Sequence, residues 1–196
     1  MSEYIQFTNF GYIKSTISDS LLKKLKHIDR SQLVQYKTEL SDSYSNCVPH
    51  FHMPDEIDSM LIEEVDKMFI HHLNQNHDIR LCIERQGNLS SGLPLGYEKP
   101  WMNIFESDIH HVPNHDHYSL YSYNIYVTLP ESSSIQFSYN STIGMNINQI
   151  IELTPDNEGE IYMFPGPIMH SVPPFYHEGQ ERISVVGNMK FLVGGK

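Results

Sequence analysis

From Trp101 to Val193 the chain is written in short alternating runs: Trp101–Glu106, Ser122–Leu129, Ser134–Tyr139, Ile147–Leu153, Glu160–Phe164 and Arg182–Val193. Each run is rich in β-branched and aromatic residues, and Gly, Pro, Asn or Ser punctuate the gaps. Many short strands with turn signals between them predict an all-β barrel or jelly roll rather than a parallel sheet. Helical patterning is confined to the first part of the chain. Ser18 or Asp19 can cap a helix over Leu21–Ile28, whose apolar spacing suits one face. Pro54, with Asp55 and Glu56 behind it, opens a second helix in which Ile57, Met60, Leu61, Val65, Met68 and Phe69 recur at helical spacing to about Leu73. Helices first and strands last predict an α+β chain, mainly β, with helices buttressing one sheet from outside.

Smaller segments fill in the plan. Residues 4–13 read as an edge strand and residues 79–84 as another strand, whereas 31–48 carry no clear pattern. Residues 86–99 are rich in Gly, Ser and Pro and read as a loop, the one plausible internal boundary. The expectation is a single domain over 1–196, with 1–95 as a helical and edge-strand support and 100–190 as the core. At 196 residues with 39% hydrophobic content, the chain can bury a real core.

Charge and composition remove several function classes. A net charge of −11 argues against a broad nucleic-acid-binding face. The basic cluster Lys23, Lys24, Lys26 and Arg30 reads as a solvated helix face. No apolar run approaches the roughly 18 residues of a membrane span, and the N-terminus lacks a secretory pattern. With two cysteines, Cys47 and Cys82, a disulfide scaffold is not expected, and the expected compartment is the reducing cytoplasm. Oligomeric state is not set, and a homodimer stays open. Twelve histidines, many in tight groups, raise the prior for a metal.

The chemistry concentrates after residue 110. His115-x-His117 runs into the tyrosine-rich segment up to Val127. Read as part of that strand, His115 and His117 lie on one face, with Asp116 on the other. Two such imidazoles are a bidentate start on a first-row metal, and His170 is the best third ligand. Downstream, Arg182 and Ser184 share a face of the last strand. An arginine facing inward is costly unless it meets an anion, and beside a hydroxyl it can grip a carboxylate. A metal tripod and an anion clamp are the two parts needed to hold a keto acid.

The order Trp101-Met-Asn103, Pro113-x-His115-x-His117, Ser122-Tyr-Asn-Ile-Tyr126, Gly159-x-Ile-x-x-Phe164-Pro165, His170-x-Val172-x-Pro174 and Glu181-Arg182-Ile-Ser184 resembles a family of 2-oxoglutarate/Fe(II)-dependent oxygenases. These occur in bacteria and their phages and are related to prolyl-4-hydroxylase-type domains. The resemblance covers about residues 100–190, and the His…Arg-x-Ser ending is its most specific part. It implies a double-stranded β-helix, a cupin-like jelly roll, holding Fe(II) through His115, His117 and His170. It implies that Arg182 and Ser184 hold the distal carboxylate of 2-oxoglutarate, with Tyr126 on the same group and Asn103 lining the cavity. O2 and a primary substrate are the implied reaction partners. One departure stands out: the commoner tripod has one carboxylate, and here Asn114 and Ser119 occupy the positions that would complete one. Three imidazoles leave the site about one unit more positive, and a β-bulge could still present Asp116. With a side chain at the third position there is no vacancy for halide, so the implied outcome is hydroxylation.

Plainer readings stand beside these. His50-x-His52 reads as surface or active-site rim, and His71, His72 and His77 as helix C-terminal. His110 and His111 lie close enough to orient substrate. Arg182 could instead pair with Glu160 or Glu181, Tyr126 and Asn103 could be core residues with a satisfied polar group, and Asn188 is an inward polar residue without an assigned role. Two rival functions follow. A cupin-type metalloprotein without 2-oxoglutarate would have Arg182 salt-bridged to protein. A non-catalytic jelly-roll module would fold and bind without metal.

Overall fold

The computed structural model describes residues 11–37, 47–75, 95–140 and 144–191. Strand β1 (Ile13–Thr16) is followed by helix α1 (Asp19–Lys26), then β2 (Val34–Tyr36), β3 (His50–His52) and helix α2 (Asp55–Gln75). Among the described residues nine strands follow: β4 (Leu95–Tyr97), β5 (Trp101–Glu106), β6 (Val112–His115), β7 (Tyr121–Thr128), β8 (Ser133–Asn140), β9 (Asn146–Leu153), β10 (Glu160–Pro165), β11 (Met169–Val172) and β12 (Glu181–Phe191). They form two antiparallel sheets in a jelly-roll arrangement. The large one runs β1-β10-β7-β12-β5-β3-β2, with β4 also on β12, and the small one runs β6-β11-β8-β9.

Alternation decides which face meets what. On β7, Tyr121, Tyr123, Ile125 and Val127 point outward to the helices, joined by Met102, Ile161, Met163, Val185 and Met189 from neighbouring strands. Leu21 and Leu25 of α1 and Leu61, Val65 and Phe69 of α2 cover them, each spaced i, i+4 on its helix. The other face of the same sheet contributes Phe105, Tyr126, Tyr162 and Phe164 to a second core, closed by Ile135, Phe137, Leu153 and Val172 of the small sheet. The large sheet is therefore buried on both sides, and its inward row is where polar residues interrupt the core.

Helix α1 begins at Ser18, whose Oγ accepts the Leu21 amide at 3.2 Å. The Ser18 amide in turn donates to Glu64 of α2 at 2.9 Å, tying the helices together. The basic cluster is exposed, with Lys26 paired to Glu158 and Arg30 to Glu181. Among the described residues, no helix is long and apolar enough to cross a membrane.

Three expectations need correction or placement. The strand expected over 4–13 falls mostly outside the described residues, and β1 starts only at Ile13. The strand expected over 79–84 lies outside them entirely. Part of the loop expected over 86–99 is strand: Leu95–Tyr97 pairs with Met189–Phe191, a long-range partnership that local Gly and Pro content does not reveal.

Candidate metal centre and its cavity

The histidine cluster is assembled by three different local structures. Strand β6 ends at His115, and β11 lies antiparallel beside it with His170 directly opposite His115. Residues directly opposite across a ladder face the same side. His117 is not on a strand, which corrects the expectation of a shared strand face. It lies in the turn after β6, where its amide donates to Gly166 O at 2.9 Å and the Gly166 amide donates to Leu120 O at 3.2 Å. That two-way link to the end of β10 sets the position of His117.

One ring nitrogen from each of His115, His117 and His170 lies within 4.8 Å of the others, the only such group of three among the described residues. Ring centroids are 4.9 Å apart for His115–His117, 4.4 Å for His115–His170 and 5.1 Å for His117–His170. His115 Nδ1 donates to Pro113 O at 2.8 Å and His170 Nδ1 to Ile168 O at 3.0 Å. A carbonyl can only accept, so Nε2 of each ring is left as a lone-pair donor, the arrangement of metal-bound imidazoles. Burial lowers the pKa of all three, His117 to about 4 and His170 to about 3, so each ring is neutral near pH 7. Asp116 is exposed and lies outside the cluster.

The cluster opens into a cavity of about 720 Å³ between the sheets, a size that suits a small-molecule site. Its large-sheet wall is laid out in registered rows. Asn103 of β5 is opposite Ser184 of β12, and Ser184 is opposite Tyr126 of β7. Trp101, Val186 and Asn124 form the next row. Behind this lining, opposite Phe105 of β5, Arg182 is 0% exposed. It lies over the rings of Phe105, at 5.3 Å, and Tyr126, at 5.7 Å. Its Nη1 donates to Ser134 O at 2.7 Å. Its Nε and Nη2 find no hydrogen-bond partner among the described residues, and neither do Ser184 Oγ, Tyr126 Oη, Asn103 Oδ1 or Asn124 Oδ1.

Four unpartnered donors, Arg182 Nε and Nη2, Ser184 Oγ and Tyr126 Oη, are expensive to leave unmade, on the order of 1–3 kcal/mol for each buried group. Burial lowers the Arg182 pKa to about 10, which leaves it charged at neutral pH. The carboxylates that could have neutralised it are engaged elsewhere: Glu160 with Lys14 at 2.8 Å, Glu181 with Arg30. An anion with several acceptor oxygens is the chemical complement of this group of donors.

The remaining sequence candidates separate. His50, expected at the surface or rim, is 5% exposed and lines the cavity. His71 and His72 lie in the last turns of α2, and His77 is outside the described residues. His110 Nδ1 accepts the Glu106 amide at 3.0 Å, and neither it nor His111 lines the cavity. Asn188 is explained by a buried relay in which Ser122 Oγ donates to its Oδ1 at 2.7 Å and its Nδ2 donates to Glu98 at 2.6 Å. Asn124 and Glu98 line the cavity without having been singled out. For Asn124 the signal was present, in the polar alternation Ser122-x-Asn124-x-Tyr126 along an otherwise apolar strand.

No protein-family model matches the chain, and no curated protein does. Solved structures do share its fold. A prolyl-4-hydroxylase of Pseudomonas putida is 14% identical with a TM-score of 0.59, covering 93% of each chain. A prolyl hydroxylase of Trichoplax adhaerens, solved with a hypoxia-inducible-factor peptide fragment, is 13% identical with a TM-score of 0.61 over 93% of this chain and 83% of that one. HygX of Streptomyces hygroscopicus, solved with nickel, 2-oxoglutarate and hygromycin B, is 9% identical with a TM-score of 0.59 over 93% and 84%. The chain thus has the fold of 2-oxoglutarate- and iron-dependent oxygenases.

Proposed function

We propose that the chain is a non-haem Fe(II)- and 2-oxoglutarate-dependent oxygenase that hydroxylates a C–H bond of its substrate with O2, releasing succinate and CO2. One observation carries this reading: three neutral imidazoles line a cavity, and behind its wall, next to the lining residues Phe105 and Ser184, lies a buried guanidinium with two nitrogens that have no hydrogen-bond partner among the described residues. The donor set suits iron, because imidazoles oriented by backbone carbonyls are good first-row metal ligands. The donors around Arg182 suit the far carboxylate of 2-oxoglutarate. HygX binding 2-oxoglutarate with nickel on the same fold is consistent with both.

In this reading His115, His117 and His170 hold the iron through ring nitrogens. Arg182 and Ser184 bind the distal carboxylate, and Tyr126 Oη donates to it. Asn103 lies beside Ser184 and orients the bound acid. Iron and 2-oxoglutarate together supply the O2-dependent oxidising chemistry. The protein's own contribution is orientation and exclusion of water. Phe105, Val172 and Phe164 line the cavity with hydrocarbon, so the acid is held in one pose and charge interactions are strengthened. Residues 1–196 act as one domain. Its compartment is the cytoplasm, where Fe(II) and the free thiol of Cys47 stay reduced.

Fe(II)-loaded protein supplied with 2-oxoglutarate and O2 should release succinate even without the primary substrate, slowly. Both Arg182→Ala and His170→Ala should abolish that release. Undiminished succinate formation in Arg182→Ala would refute the clamp, and unaltered turnover in His170→Ala would refute the tripod.

A further inference from the structure

Away from Arg182, the same inward rows end in an aromatic corner. His50 of β3 is opposite Asn103, so one row runs His50, Asn103, Ser184, Tyr126 across four strands. At about 4.8 Å per strand, His50 lies roughly 14 Å from Tyr126, too far to share the anion held at Arg182. The rings around it form a continuous wall. Tyr36 stacks flat on His52, with centroids 4.0 Å apart and planes 4° apart, and lies 5.7 Å from His50. His50 in turn is 6.2 Å from Trp101, which meets His117 edge-on at 6.4 Å. The wall therefore runs from β2 to the histidine cluster.

Two further features describe what this wall fits. Trp101 Nε1 is buried with no hydrogen-bond partner among the described residues, and the rings of His50, 5% exposed, and His52 meet the backbone of Val48 and Pro100. An unmet indole N–H and imidazole edges beside π faces suit a flat group that carries its own donors and acceptors. Glu98 and Asp116 also line the cavity, and no lysine or arginine does among the described residues. The charged residues that line this side are acidic, which disfavours a phosphate or a carboxylate.

We propose that the corner formed by Tyr36, His50 and Trp101 is the primary-substrate subsite. It takes a planar, hydrogen-bonding group that is neutral or positively charged, such as a carboxamide, a guanidinium or a heteroaromatic ring, and presents it beside the metal-facing histidines. This rests on the oxygenase reading for the position of the reacting carbon.

Trp101 is the chain's single tryptophan, so its emission reports occupancy directly. Zn(II)-loaded protein with 2-oxoglutarate is titrated with benzamide, benzamidine, cyclohexylamine and phenyl phosphate. Saturable changes in emission are expected with the first two and none with the last two. His50→Ala should weaken benzamide at least tenfold and His50→Gln should recover part of that loss, while calorimetry shows 2-oxoglutarate binding in both. A wild-type protein that binds no planar probe, or prefers phenyl phosphate, overturns the assignment, as does full-strength benzamide binding in His50→Ala. Benzamide binding without 2-oxoglutarate binding would sink the oxygenase reading and leave the subsite standing. The reverse pattern would do the opposite.

Discussion

Gly166→Ala tests how His117 comes to be where it is. A Cβ built on Gly166 would lie 2.2 Å from Ser119 Oγ, 2.3 Å from Ser119 O and 2.9 Å from Ser119 C. Ordinary contact begins near 3.4 Å, so the Ser119 backbone must retreat by about 1 Å. His117 is two residues away in the same turn and is hydrogen-bonded to Gly166 itself. A ligand nitrogen displaced by even a fraction of 1 Å falls outside the roughly 0.2 Å tolerance of a metal bond. Overpacking of this kind costs about 1–3 kcal/mol of stability, and the metal should bind at least tenfold more weakly. Tenfold is about 1.4 kcal/mol, so the metal-induced rise in Tm should shrink by about 3–6 °C for a chain of this length. Melting curves with and without Zn(II), in wild type and variant, read both effects. Adding Ser119→Ala should not rescue the variant, because the 2.3 Å contact is with backbone. Wild-type metal stabilisation in Gly166→Ala would refute this origin for the His117 position.

Three further outcomes are expected. Arg182→Met removes a buried charge with two unpartnered nitrogens. The apo protein should melt no lower than wild type, while calorimetric 2-oxoglutarate binding falls at least a hundredfold; a large drop in Tm would mean that Arg182 is structural. Burial raises the Asp58 pKa from 3.8 to about 6, so the folded state binds its proton more tightly than the unfolded chain. Its contribution is fully present below about pH 4 and lost as pH rises through 6, a swing of up to about 3 kcal/mol. Asp58→Asn should therefore stabilise at pH 8 and change little at pH 4 in denaturant titrations. Gly187→Ala would set a Cβ 2.2 Å from Tyr123 Oη and 2.4 Å from its Cζ. It should destabilise by about 1–3 kcal/mol, and Tyr123→Leu in the same chain should recover part of the loss.

Much of the core was readable because its signals are local. Trp101–Glu106 alternates cleanly, and the structure places a strand on the same six residues. Arg182 and His170 stood out as polar residues in apolar runs, and both are buried, His170 in the cavity lining and Arg182 behind it. His117 was misplaced because the rule that i and i+2 share a face was extended past the end of β6; its position depends on Gly166, almost fifty residues on. His50 was read only as surface or active-site rim for a related reason. Its strand has three residues and exists through pairing with Tyr36 and Asn103, contacts that no local pattern encodes. The small-sheet edge shows the limit from the other side: β9 has exposed Ile147 and Ile150 and still forms, held by its ladder to β8.

The most direct measurement is anaerobic titration of Fe(II)-loaded protein with 2-oxoglutarate, followed by visible absorption. The oxygenase reading predicts a saturable metal-to-ligand charge-transfer band in wild type, shifted to far higher 2-oxoglutarate concentration in Arg182→Ala and absent in His170→Ala. A wild-type protein that binds Fe(II) and develops no band at any 2-oxoglutarate concentration would contradict it.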